Sequence, residues 1–109
     1  MLLEASLERD GKTHRVSLLH LENAVFILLC DEKLKMGTLA VSAPGLREGA
    51  VGTSSVLLGG KYIIAARALA ERSAAIFKKM SLVSLNTTLS EGEALRVYSG
   101  LIDKVRVNE

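Results

Sequence analysis

The sequence predicts an α+β fold: an antiparallel β-sheet of about six strands, in the order five strands, helix, strand, helix, with both helices packed on it. Three observations carry this reading. Between Leu3 and Leu58, apolar and polar residues alternate over short stretches separated by turn residues, the period of half-buried strands. From Tyr62 the apolar period lengthens to that of a helix. After one more strand-like stretch, Ser90-Glu91-Gly92-Glu93 carries the signature of a second helix start.

Leu3, Ala5 and Leu7 alternate with Glu4, Ser6 and Glu8, and Asp10-Gly11 supplies residues that accept the positive φ of a tight hairpin. The return strand, Thr13–Glu22, places Val16, Leu18 and His20 on one face, while the adjacent Leu18-Leu19 breaks the alternation and allows a bulge. Ala24–Cys30 is apolar at every position, so it is expected at the sheet centre with both faces covered. Asp31–Lys35 reads as a charged turn and Met36–Ala43 as a fourth strand. Ala43–Thr53, with Pro44, Gly45, Gly49 and Gly52, has no periodicity and reads as a loop. Ser54–Leu58 is a fifth strand ending at Gly59-Gly60.

In the first helix, Tyr62, Ile63, Ala66, Leu69, Ala70, Ser73, Ala74, Ile76, Phe77 and Met80 share one broad face. Lys61, Arg67, Glu71, Arg72, Lys78 and Lys79 occupy the other, with Ile64 the apolar exception among them. The alanines allow close approach to a sheet or a second helix, and Arg67 and Glu71 stand at pairing distance. Ser81–Thr87 returns to a strand pattern. In the capping box that follows, the Ser90 hydroxyl accepts from the amide of Glu93 and Glu93 reaches back. The second helix then buries Ala94, Leu95, Val97, Tyr98, Leu101, Ile102 and Val105. Glu91 and Glu93 near its start and Lys104 and Arg106 near its end suit the helix dipole, and Gly100 weakens it.

A length of 109 residues implies one domain, spanning 1–109, and a composition 49% hydrophobic and 24% charged implies a real core. The net charge of +2 lacks the basic surplus of a nucleic-acid binder, and no aromatics interleave with the dispersed lysines and arginines. The longest apolar run, Ala24–Cys30, falls far short of the roughly 20 residues of a membrane-spanning helix. Met1-Leu2-Leu3-Glu4 lacks the basic start of a signal peptide, so a cytoplasmic protein with no nucleic-acid or membrane partner is expected. Aromatics make up only 4%, yet the aliphatic share is high for a chain whose size leaves much surface exposed. Some of that surface is expected to be covered by another subunit.

No pattern of catalytic or ligand-binding residues emerges. Gly52–Lys61 fails as a phosphate loop: seven residues separate Gly52 from Gly60, and Tyr62 follows the lysine. The glycines instead let the backbone turn, although free amides at that helix start would accept an anion weakly. Cys30 ends the most apolar strand, where a thiol behaves as a small hydrophobe; a small enzyme pairing it with His20 ranks last among the readings. His14 and His20 are six residues apart on one strand, about 20 Å, too far to share a metal. Asp31-Glu32 is explained by a turn and Glu91/Glu93 by a cap. No cofactor or metal is expected. Leu46-Arg47-Glu48, at the tip of a glycine-flanked loop, and Ile64, on the charged helix face, remain as candidate partner contacts.

Ala24–Ala43, with Ala-Val-Phe-Ile-Leu-Leu-Cys and Lys35-Met36-Gly37-Thr38-Leu39, resembles the small proteasome assembly chaperones, the third and fourth members of the eukaryotic set. Thr53-Ser54-Ser55-Val56-Leu57-Leu58-Gly59 and the order of elements resemble them too. The resemblance implies a non-enzymatic chaperone that dimerises and docks on α-type proteasome subunits during assembly of the α-ring. The lack of extensions and of aromatics looks like an archaeal homologue working as a homodimer. The family's variable loop corresponds to Ala43–Thr53, which again points to Leu46, Arg47 and Glu48. Met36, Gly37, Thr38, Leu58 and Gly59 match the family motifs but read as structural. A roadblock- or longin-type dimeric scaffold is the alternative, although such folds usually interleave a helix among the early strands.

Overall fold

The computed structural model describes residues 2–45 and 53–107. In chain order the elements are β1 (Leu2–Arg9), β2 (Lys12–His20), β3 (Ala24–Asp31), β4 (Thr38–Ala43), β5 (Thr53–Leu58), α1 (Ile63–Phe77), β6 (Met80–Asn86) and α2 (Glu91–Val107). The α+β class and the element order are those expected. The strands form one sheet in the order β1-β2-β3-β6-β4-β5, mostly antiparallel. One pairing, β3 with β6, is parallel. It follows from α1, which carries the chain across the sheet so that β6 enters beside β3 in the same direction, a connection no hairpin could make.

The β1–β2 hairpin closes with two residues, Asp10 (φ 53°) and Gly11 (φ 76°). Both angles are positive, as a primed turn that matches strand twist requires. β2 pairs with β1 and β3 in unbroken register, so Leu18-Leu19 is no bulge. Leu18 is fully buried and Leu19 is 40% exposed: the two leucines serve opposite faces of the sheet. The register shift lies instead between β4 and β5, at Leu39/Ala40.

One row of paired residues runs through Leu3, Leu18, Ile27, Val83, Ala40 and Val56. It belongs to the core, together with Leu69 and Ala66 of α1 and Tyr98 and Ile102 of α2. α1 lies over β4, β5 and β6, and α2 over β1 and β2. The alanines at 65, 66, 70 and 74 all face inward, which lets α1 sit close enough for Ser81 Oγ to donate to the Ala70 carbonyl at 2.6 Å. α1 ends earlier than its apolar pattern, because Lys78 adopts a left-handed conformation (φ 58°) and its backbone amide donates to the Ala74 carbonyl. Met80 consequently opens β6.

Two motif glycines are required by packing. A Cβ on Gly37 would stand 2.2 Å from the Leu85 carbonyl oxygen, and one on Gly59 would stand 2.7 Å from Thr38 Oγ1. Gly59 also has φ +100°, which side chains rarely adopt. Thr38 Oγ1 donates to the Lys61 carbonyl and fastens the same junction.

Candidate protein-binding surfaces

The sheet has two faces and the helices cover one. Beside the buried row lies a second, running through Leu2, Leu19, Phe26, Leu82, Val41 and Ser55. No described element packs on this side. Phe26, Leu82 and Val41 are half-buried by their neighbours alone, and Leu2 is 59% exposed. The expectation that β3 has both faces covered is thus met on one face only. Six strands at about 4.8 Å spacing, with lengths of about 20–30 Å, make an open face of roughly 500–700 Å². That approaches the roughly 800 Å² per partner of a standard protein interface. The charged residues on it, Glu4, Glu8 and Arg15, belong to β1 and β2, while its β3, β4 and β6 positions carry none.

Ile64 is 70% exposed at the start of α1, with Ile63, Leu57 and Leu58 also exposed in the same stretch of chain. Leu46, Arg47 and Glu48 lie outside the described residues. The points from which their loop departs, Ala43 and Thr53, are paired at the end of β4 and β5 opposite to Leu58. The structure therefore does not bring the loop anchors and Ile64 to one end of the sheet.

The chemistry-bearing residues are occupied in other ways. Cys30 is fully buried. His20 pairs across from Val25, five residues along β3 from Cys30 and so about 17 Å away, and its ring packs edge-on against Phe77. The Cys30–His20 pair does not form. Arg67 Nε donates to Ser54 Oγ at 3.0 Å, and Ser54 Oγ donates to Glu71, so a serine sits between the two charges expected to pair. Among the described residues, no group of three or more His, Cys, Asp or Glu side chains could hold a metal, and no helix is long and apolar enough to cross a membrane.

One buried polar cluster escaped sequence reasoning. Asp31, the last residue of β3, is 2% exposed. His14 Nδ1 donates to its Oδ1 at 2.7 Å and the Thr87 hydroxyl at 2.9 Å, and the Tyr98 hydroxyl donates to the same oxygen. The Thr88 amide and hydroxyl donate to Oδ2 at 2.9 and 3.1 Å. Burial raises the carboxyl pKa, but hydrogen bonds from Tyr98, Thr88, His14 and Thr87 more than offset it and hold Asp31 well below the usual carboxylate range. Burial, and then the bond to Asp31, push the Tyr98 hydroxyl well above its ordinary value. The cluster is a clasp joining β2, β3, α2 and the loop before α2. It comes from four distant points in the chain, so no spacing announces it.

A second clasp starts from Glu91. Its Oε1 accepts from the amides of Ile64 and Ala65 at 3.0 and 3.1 Å, capping α1 from the start of α2. These are the amides expected to bind an anion; an internal carboxylate already fills that place. Tyr62, left-handed at φ 58°, donates its hydroxyl to the carbonyls of Thr87 and Leu89. At α2 itself Ser90 Oγ accepts from the Glu93 amide at 3.3 Å, but Glu93 Oε2 accepts from Arg9 at 2.8 Å and so ties α2 to β1.

Among the described residues, these buried polar clasps tie the elements together, and one sheet face with apolar central strands stays uncovered. No family model matches the chain, and no curated protein matches it in sequence. A solved structure does match in fold: a chain in the crystal structure of a chaperone complex for yeast 20S proteasome assembly. The TM-score is 0.68 at 13% identity, over 95% of this chain and 90% of that one. At that identity the likeness is one of fold.

Proposed function

We infer that this protein is a non-enzymatic chaperone for assembly of the 20S proteasome, acting in the cytoplasm as a homodimer that binds α-type subunits. The observation that carries the reading is a fold shared nearly end to end with a chain of a proteasome assembly chaperone complex. The open apolar face supports it. Uncovered apolar residues gathered on one face mark protein partners, and two such sheets stacked about 10 Å apart would bury both central rows. In this reading Ile64 and its exposed neighbours, with Leu46, Arg47 and Glu48 of the loop, contact the α-type subunit. Binding of modest strength would shield an incomplete subunit surface until the next component displaces the chaperone. The reading of an archaeal-like homologue belongs to the same proposal. A roadblock- or longin-type scaffold gains no support, since no helix occurs among the described residues before α1.

Light scattering on the purified chain and co-expression with tagged α-type proteasome subunits test this. The expected result is twice the chain mass, together with co-purification that Ile64→Glu reduces at least tenfold. A monomer that retains no α-type subunit would overturn it.

A further inference from the structure

A groove of about 370 Å³ lies between β1 and α2, on the helix-covered side of the sheet and away from the open face. Leu7, Val97 and Leu101 give it an apolar floor, and Leu7 remains 43% exposed there. Among the described residues, Arg9, Arg96 and Lys104 are the charged ones that line it, and no acidic one does. The acids of β1, Glu4 and Glu8, pair in register with Ser17 and Thr13 and so point to the opposite face. Arg9 is tied to Glu93 and Lys104 Nζ donates to the Ser6 carbonyl at 3.1 Å, which hold two of the cations in place at the lining.

Gly100 is the informative residue. It lies inside α2, where glycine costs about 1 kcal/mol relative to alanine. A Cβ built there meets nothing within 4 Å, so neither packing nor a positive φ asks for glycine, in contrast to Gly37 and Gly59. It stands between Arg96 and Lys104 at four-residue steps, on one ridge of the helix, and it lines the groove. A side chain at this position would fill the groove without disturbing the fold.

We propose that the β1–α2 groove is a docking site for an acidic polypeptide segment of a partner protein, taking an aliphatic side chain onto Leu7, Val97 and Leu101 and flanking carboxylates onto Arg96 and Lys104. Charge complementarity selects this occupant: an apolar floor among cations desolvates an alkyl group and pairs the acids beside it. A lipid surface fits less well, because the apolar face of α2 is turned into the core. The inference does not depend on the chaperone reading, since the groove lies on the other side of the sheet from the proposed dimer face.

The test is fluorescence polarisation with a labelled ten-residue peptide alternating leucine and glutamate. Control peptides replace every leucine with serine or every glutamate with lysine, and phosphatidylserine vesicles are assayed by flotation. The expected result is saturable binding that falls with salt, at least tenfold weaker binding of both controls, and no flotation. Gly100→Leu should weaken binding at least tenfold while the thermal midpoint stays level or rises, which separates a blocked groove from a damaged fold. Arg96→Glu with Lys104→Glu should do the same. Absence of binding, binding indifferent to Gly100→Leu, equal binding of the lysine peptide, or flotation would each overturn the proposal.

Discussion

Two neighbouring rows of the same sheet have nearly the same apolar character and opposite fates. Leu18, Ile27, Val83 and Ala40 are fully buried beneath the helices, while their immediate neighbours in each strand, Leu19, Phe26, Leu82 and Val41, retain solvent contact. β-Strands separate adjacent residues onto opposite faces, so one apolar run such as Ala24–Cys30 can serve a core and an interface together. The covered row specifies the fold of one chain. The open row carries large apolar residues that no described element covers.

Adjacent positions on β3 give the largest contrast. Leu29→Ala, on the covered side, should lower the unfolding free energy by about 3–4 kcal/mol in denaturant titration, from lost burial and the cavity left behind. Leu28→Ala, on the open side, should cost the dissociated chain less than half as much; equal losses would break the comparison.

The polar end of the covered face comes next. Asp31→Asn should cost about 3 kcal/mol, because buried donors lose a charged acceptor. Since the folded pKa of Asp31 is depressed, its stabilisation is present above the ordinary carboxylate pKa of about 4 and is lost as pH falls below that value. Tyr98 acts in the other direction: its raised pKa contributes stability that fades as pH rises above about 10. Acid titration of Asp31→Asn, followed by circular dichroism, should show a flatter loss of stability below pH 4 than the parent chain.

Leu28→Lys sharpens the open-face reading. It should leave the unfolding free energy of the isolated chain within about 1 kcal/mol and weaken self-association at least a hundredfold, about 2.7 kcal/mol, in analytical ultracentrifugation. The smallest effect belongs to Glu91→Gln. Removal of the charge from the α1 cap should cost about 1 kcal/mol and speed amide exchange at Ile64 and Ala65.

The legible parts of the fold were those written in local chemistry. Asp10-Gly11 declares its turn, and spacing gives most of the α1 and α2 faces, although Ile63 of the expected apolar face is exposed and Ala65 outside it is buried; the structural reading of Gly37 and Gly59 has its reason in packing. Strand order was not legible, because both neighbours of β6 precede it by dozens of residues and pairing leaves no local mark. The Asp31 clasp was hidden for the same reason: a carboxylate beside Glu32 reads as a turn until Thr87, Thr88, His14 and Tyr98 converge on it. By position Glu91 suits the dipole of its own helix, whereas its side chain caps another. The surplus of aliphatic residues was visible as composition; only the register showed that much of it forms one uncovered face.

The position of β6 has a consequence for how the chain reaches this state. In the sheet order, β1, β2 and β3 form one block and β4 and β5 another, and β6 is the strand that bonds to both. A nascent chain that has emerged only through α1 therefore holds two unjoined ribbons, each with a vacant edge and an exposed greasy side. Maturation waits for the last quarter of the polypeptide to slot between them, so premature truncation within that quarter would leave sticky fragments in place of a shortened but working molecule.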